Sequence, residues 1–253
     1  MKKTLLSGLS LILALAICLS LFPMTALAAG DFDISGGVLN RYNGAGGTIV
    51  IPEGVTSIGN MAFYNCAKLT SVTMPNSVTK IGEMAFYNCE NLTSATIPNN
   101  VTSIGDMAFY QCKSLTSVTI PNSVTSIGPR AFWGCRGITS LTLGSGLTSI
   151  EEATFTGCKS LKTVTIPNSI KIINEYAFSA SGLTGNITIP NSVTKIGMSA
   201  FFNTKMTSIT IPKSVTSIGK TPFSKDIVVH GVVGSAAEKL CKEYTYKFAP
   251  ISQ

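Results

Sequence analysis

A unit of 23 residues recurs from Ile51 to about Phe223, and this period constrains the chain more than any other feature. Three consecutive copies read IPEGVTSIGNMAFYNCAKLTSVT (51–73), MPNSVTKIGEMAFYNCENLTSAT (74–96) and IPNNVTSIGDMAFYQCKSLTSVT (97–119). Self-similarity at a fixed period in this range marks a solenoid: one unit cannot bury its own apolar face, whereas stacked units bury it in one continuous core. Further units begin at Ile120, Leu143, Ile166, Ile189 and Ile211, which predicts about eight coils. One phenylalanine per unit gives the ladder Phe63, Phe86, Phe109, Phe132, Phe155, Phe178, Phe201 and Phe223. One isoleucine per unit gives Ile58, Ile81, Ile104, Ile127, Ile150, Ile173, Ile196 and Ile218. The register drifts late: the unit at 189 has 22 residues, and Gly144 stands where the other units carry proline.

Within a unit, Leu69-Thr-Ser-Val72-Thr-Met74-Pro75 reads as a short strand ended by proline, which cannot donate to a ladder. Equivalent strands one unit apart are expected to stack in parallel at about 4.8 Å. Val78 and Ile81 point inward from a second extended segment closed by Gly82, and Ala85, Phe86 and Cys89 form a turn-like or 3₁₀ segment on the far side. The residues IP-x-x-V-x-x-IG-x-x-AF-x-x-C-x-x-LTSVT resemble the BspA-type leucine-rich repeats of secreted and surface proteins from anaerobic and host-associated bacteria and some parasitic protists. The resemblance covers about 50–250. It implies a β-rich, right-handed leucine-rich-repeat solenoid with a parallel strand ladder. For some members it also implies adhesion to host matrix proteins or other microbes. It carries no catalytic residues.

The first residues read as an export signal, 1–28: Lys2 and Lys3, an apolar run from Leu5 to Phe22, Pro23, then small residues suited to cleavage after Ala28 or Ala29. An uncleaved membrane anchor is the rival, but the run is short for a span of about 20 apolar residues. Lipoprotein processing at Cys18 would want a small residue where Ile17 stands. No other stretch is apolar enough to span a bilayer, and no anchor motif is visible at the C-terminus. The expected product is secreted or held non-covalently at the surface. Residues 29–50 are expected to form an N-terminal cap, 51–223 the repeats and 224–253 a C-terminal cap. In the latter, Ile227-Val228-Val229 reads as a last strand, and Ser235-Ala-Ala-Glu238 as a capping box opening a helix to about Tyr244. Without Lys2 and Lys3 the chain holds 17 basic and 12 acidic residues. Nine lysines lie between Lys171 and Lys247, either a solvated face or an attraction to acidic glycans and anionic surfaces. No dense basic cluster points to nucleic acid.

Little in the chain suits catalysis. The one histidine, His230, falls after the expected last strand and has no nucleophile motif beside it. Glu83, Asp106, Glu152 and Glu175 share one repeat position. Paired carboxylates at such spacing can serve glycosidic chemistry, but a convex turn supplies no pocket for it. Converging oxygens for calcium are absent too. Cys66, Cys89, Cys112, Cys135 and Cys158 recur at the repeat spacing. In a stack their Cβ atoms would lie about 4.8 Å apart and parallel, longer than the mean of about 3.8 Å that a disulfide prefers. They read as buried free thiols, and collinear ligands cannot surround zinc. No cofactor or metal is expected.

Two surfaces remain as binding candidates. Thr73, Thr96, Thr119 and Thr142, each with a serine two residues earlier, form an outward hydroxyl face on the strands. It would suit a repetitive ligand such as a polysaccharide, although serine and threonine also simply suit exposed strands. Tyr64, Tyr87, Tyr110 and Trp133, one after each of four phenylalanines, form a stripe along one edge. Aromatics are enriched at interfaces and can stack on sugar rings, or can merely cover the coil. The stripe is the better candidate because it is local and costly to expose. Two functions follow: a non-enzymatic recognition or adhesion module for a protein or glycan on a host or microbial surface, or a structural scaffold of the cell envelope without a specific ligand.

Overall fold

A computed structural model describes residues 30–252; the expected export segment lies outside the described residues. The chain forms a β-solenoid of about nine turns. The N-terminal cap supplies an antiparallel hairpin, β1 (Phe32–Ser35) and β2 (Val38–Tyr42), and a strand β3 (Gly47–Val50). Two-residue and longer strands then alternate: β4 (Ser57–Ile58), β5 (Leu69–Thr73), β6 (Lys80–Ile81), β7 (Ser94–Thr96), β8 (Ser103–Ile104), β9 (Ser117–Thr119), β10 (Ser126–Ile127), β11 (Ser140–Thr142) and β12 (Ser149–Ile150). The series resumes with β13 (Ile172–Ile173), β14 (Thr184–Thr188), β15 (Lys195–Ile196), β16 (Lys205–Ile211) and β17 (Ser217–Ile218). It ends in β18 (Val228–Gly231), helix α1 (Ala236–Tyr244) and β19 (Lys247–Pro250).

Each coil has three sides, and each side bonds to the next coil differently. On the first, β5 pairs in parallel with β3 and β7, setting Ser71 against Ser94 and Thr73 against Thr96. On the second, the two-residue strands pair in parallel, so that Ile58, Ile81, Ile104 and Ile127 fall in one inward row. The third side is a run of turns rather than a 3₁₀ helix. Met61 and Asn65 take positive φ of 58° each. The N–H groups of Met61, Phe63 and Asn65 donate to the Glu83, Ala85 and Tyr87 carbonyls of the next coil at 2.9, 2.7 and 2.8 Å. Met84, Phe86 and Asn88 repeat this one coil on. Left-handed backbone costs about 1–2 kcal/mol for an ordinary side chain, and the inter-coil bonds offset it. Asn65, Asn88 and Asn203, and the glycines Gly134 and Gly157, occupy one of the two left-handed positions, where such residues are favoured.

The phenylalanine ladder forms the core: all eight rings are at most 2% exposed. Neighbouring rings stack with centroids 4.8–5.1 Å apart from Phe63 to Phe132. Two devices hold coils at this pitch. The glycine after six of the eight ladder isoleucines lets the backbones meet; a Cβ on Gly105 would lie 2.5 Å from the Glu83 nitrogen. Threonine hydroxyls also reach back one coil: Thr79, Thr102 and Thr125 donate to the Thr56, Thr79 and Thr102 carbonyls at 3.2–3.3 Å. Thr93, Thr116 and Thr139 do the same along the first side.

Several expectations are corrected. The first-side ladder is not one sheet: β3-β5-β7, β9-β11 and β14-β16-β18-β19 are separate, and residues 163–165 form no strand. The second-side ladder likewise breaks between β10 and β12. The last strand is β19, which pairs in parallel with β18, and His230 lies inside β18 between Thr210 and Ala249. Helix α1 starts where expected, but the Ser235 side chain makes no capping bond. The Glu238 carboxylate instead accepts from the Gly234 N–H at 2.6 Å, one residue before the site a capping box would use. Ala237, Leu240 and Cys241 are the buried face of α1 and cover the end of the stack.

Candidate functional site

The third side turns the sequence Phe-Tyr outward and inward by one residue. Phe63 enters the core, so Tyr64 after it faces solvent, and the inter-coil bonds on both flanks set the pitch. Four rings therefore meet face to face outside the solenoid. Tyr64 and Tyr87 have centroids 5.0 Å apart, Tyr87 and Tyr110 4.7 Å, and Tyr110 and Trp133 4.7 Å, with interplanar angles of 15°, 1° and 7°. Tyr87, Tyr110 and Trp133 are half-buried, and Tyr64 at the end is 43% exposed. Burial pushes the Tyr87 phenol above its ordinary value, with the flanking Tyr110 and Tyr64 adding to it. Ring faces inside the column are occupied by neighbouring rings. A ligand lying along the column would meet ring edges and hydroxyls, while only the column's ends offer a whole face.

Met61, Met84 and Met107 occupy the repeat position three residues before these tyrosines, and Met61 is 50% exposed. Arg130 takes that position in the fourth coil and pairs with Glu152. At the end below Tyr64 an open groove of about 360 Å³ is lined by Asn40, Arg41, Tyr42, Asn60, Met61, Ala62 and Tyr64. The sequence had not singled out this groove. Its signal would have been the polar Asn40-Arg41 pair just before Tyr42, the cap residue that extends the phenylalanine ladder.

The hydroxyl face is placed as its sequence suggested, with Thr73, Thr96, Thr119 and Thr142 all exposed. It is paired only within Thr73–Thr96 and Thr119–Thr142, because β7 and β9 are not bonded to each other. Four of the five repeat thiols lie inside, whereas Cys66 in the first coil is only half-buried: Cys89, Cys112 and Cys135 donate to the Phe63, Phe86 and Phe109 carbonyls at 3.0, 3.1 and 3.0 Å. Cys158 reaches Phe132 at 3.5 Å. Burial pushes Cys135 and Cys158 well above the ordinary thiol range. Among the described residues no group of three His, Cys, Asp or Glu converges as a metal site would require.

A family model for the BspA type leucine rich repeat region matches six copies across residues 42–135 and 102–229. The chain belongs to the BspA-type leucine-rich repeat family. Among solved structures, a leucine-rich repeat protein of Bacteroides ovatus is 26% identical with a TM-score of 0.60, over 87% of this chain and 65% of that one. The chain thus spans less than two thirds of that relative's length. A leucine rich cell surface protein of Faecalibacterium prausnitzii is 29% identical with a TM-score of 0.64, over 80% of this chain and 75% of that one. A T. pallidum leucine rich repeat protein, 22% identical with a TM-score of 0.58 over 88% of this chain and 97% of that one, shares the fold. No curated protein matches the chain by sequence. No helix among the described residues is long and apolar enough to cross a membrane.

Proposed function

We propose that this BspA-type repeat chain is a non-enzymatic recognition module, secreted or held at the cell surface, which binds a protein or glycan on a host or microbial surface. The observation that carries the reading is the outer aromatic column. Four large rings are kept in van der Waals register outside the core, where they add less to stability than the buried phenylalanines do. Aromatic residues are the side chains most enriched where binding energy concentrates. The cell-surface description of the Faecalibacterium prausnitzii relative supports the location. The test is a ligand array of matrix proteins and glycans probed with the folded chain and with a triple variant, Tyr87→Ala, Tyr110→Ala and Trp133→Ala. Retention of the fold is checked by circular dichroism. Binding of any ligand found should fall at least about tenfold, the scale of one good aromatic contact; unchanged binding would remove the column as the site.

The scaffold reading is favoured by a separate observation. Thr93, Thr102, Thr116 and Thr125, which lie outside the row of Thr73, Thr96, Thr119 and Thr142, donate to carbonyls of the previous coil and so serve the stack itself. Cell fractionation distinguishes the two: firm retention in the envelope with no soluble ligand supports the scaffold.

A further inference from the structure

The N-terminal cap treats the two aromatic ladders differently. It closes the inner one: Tyr42 packs on Phe63 with centroids 5.2 Å apart, and Phe32 packs on Tyr42 at 5.3 Å. It leaves the outer one open: among the described residues no ring of the cap stacks beneath Tyr64, whose one ring neighbour there is Tyr87. At the opposite end of the column the next repeat position is Thr156, whose hydroxyl is committed to the Tyr176 carbonyl at 2.5 Å. Of the column's two ends, the one at Tyr64 opens into a groove lined by cap residues.

The groove's rim is polar. Arg41 is exposed and makes no ion pair among the described residues. Asn40 is exposed and makes no side-chain hydrogen bond among them. Asn60 accepts the Glu83 N–H on its amide oxygen at 2.9 Å, which leaves its amide nitrogen as a donor toward solvent. A flat aromatic face ringed by two amides and a guanidinium matches a pyranose ring. The sugar's C–H face carries partial positive charge and packs on the ring quadrupole, while its hydroxyls lie at the rim within reach of amide and guanidinium groups. An aromatic side chain of a protein partner would fill the same face but would desolvate those three polar groups without replacing their water contacts, which is unfavourable.

We propose that the open face of Tyr64 is the primary subsite of a glycan-binding surface, taking one pyranose ring as the next layer of the outer column. Asn40 and Asn60 bond the ring hydroxyls, and Arg41 receives an acidic substituent where the sugar carries one. This rests on the column being a recognition surface, and the test separates the two claims. The folded chain is titrated calorimetrically with three soluble hexasaccharides, of β-linked glucose, of β-linked N-acetylglucosamine and of galacturonate. At least one should bind. Tyr64→Ala should weaken it about tenfold, Tyr64→Phe should preserve it, and Asn40→Trp, which fills the groove from its other wall, should abolish it. Arg41→Ala should weaken the galacturonate hexamer alone. Thermal unfolding checks that each variant folds. The subsite is overturned if no hexasaccharide binds, or if binding survives both Tyr64→Ala and Asn40→Trp. If that surviving binding is lost in the Tyr87, Tyr110 and Trp133 triple variant, the column remains a recognition surface and the Tyr64 subsite alone falls.

Discussion

The coils before Leu143 and those after it follow one repeat but are not built alike. In the first group the phenylalanine centroids lie 4.8–5.1 Å apart; from Phe132 to Phe201 they lie 5.4–5.6 Å apart, and Phe201 and Phe223 are 6.2 Å apart and tilted. The outer aromatic column and the closest thiol–carbonyl bonds belong to the first group, and the second-side ladder, continuous within each group, breaks between them. Charge divides at the same place: residues 30–142 carry six basic and six acidic side chains, and residues 143–253 carry eleven against six. The junction coincides with a change at one repeat position. Glycine follows the ladder isoleucine at Gly82, Gly105 and Gly128, but Glu151 and Asn174 follow it in the next two coils. A Cβ there meets the backbone of the coil before, so the Glu151 segment stands off. Glu151 and Thr148 consequently lack the backbone bond that Gly128 and Thr125 make, at 2.8 and 2.9 Å, to the Ile104 and Thr102 carbonyls. Asn174 recovers its bond to Ile150 and hydrogen-bonds Glu151 through its side chain at 2.9 Å. The tightly spaced coils thus omit a Cβ at this position, and the ladder is interrupted at Glu151 but not at Asn174.

The largest expected effect comes from the core. Phe109→Ala removes a ring stacked at 5.0 and 5.1 Å on both sides and should lower stability by about 3–5 kcal/mol. Phe201→Ala, whose neighbours lie at 5.4 and 6.2 Å, should fall at the lower end of that range. Denaturant unfolding of both variants measures the difference, and equal losses would mean that ring spacing does not report packing quality. The next effect is smaller and concerns the glycine row. Gly105→Glu copies the junction into the tight group and should destabilise by about 1–3 kcal/mol, the usual scale of overpacking. Glu151→Gly should do the reverse at the junction: in hydrogen exchange, the Thr148 and Glu151 amides should slow toward the rates of Thr125 and Gly128. Unchanged exchange in Glu151→Gly would show that the side chain does not cause the break.

Much of this was legible in the sequence because the period is long and its copies nearly identical. The ladders of phenylalanine, isoleucine and cysteine, the outward threonines of the first side and the column from Tyr64 to Trp133 all follow from counting. What counting missed depends on backbone conformation and on single departures. The turn run needs two left-handed residues four apart in each coil, and its only written hint is the Asn, Gln or Gly after the column position, at Asn65, Asn88, Gln111 and Gly134. Thr79 and Thr102 looked like generic surface residues because nothing in a linear pattern reveals a hydroxyl reaching a carbonyl 23 residues earlier. Glu151 takes the glycine position beside the carboxylate series at Glu152, a single departure that the repeat pattern does not weigh. The groove under Tyr64 joins cap and repeat, two segments related by no period at all.

The thiol row offers the mildest way to tell the two groups apart. Cys66, Cys89, Cys112 and Cys135 precede Leu143 and Cys158 lies in the first coil after it, whereas Ser181 and Thr204 hold the equivalent places in the next two coils. Burial raises Cys89, Cys135 and Cys158 above the ordinary thiol value, so the folded state holds protons that the unfolded state releases first. For groups shifted upward, the stabilising effect is complete below the unfolded thiol value of 9.0 and is lost as pH rises above it. Stability should therefore be flat in pH up to about 8.5 and decline beyond, each thiol contributing a slope of at most about 1.4 kcal/mol per pH unit. Cys135→Ala should make the decline shallower by one thiol's share while leaving the neutral-pH fold intact. Because hydroxyls at Ser181 and Thr204 do not ionise in this range, alkaline exchange should open the coils from Cys89 to Cys158 before those of Ser181 and Thr204; simultaneous opening of all these coils would mean that they unfold as one unit despite their different pitch.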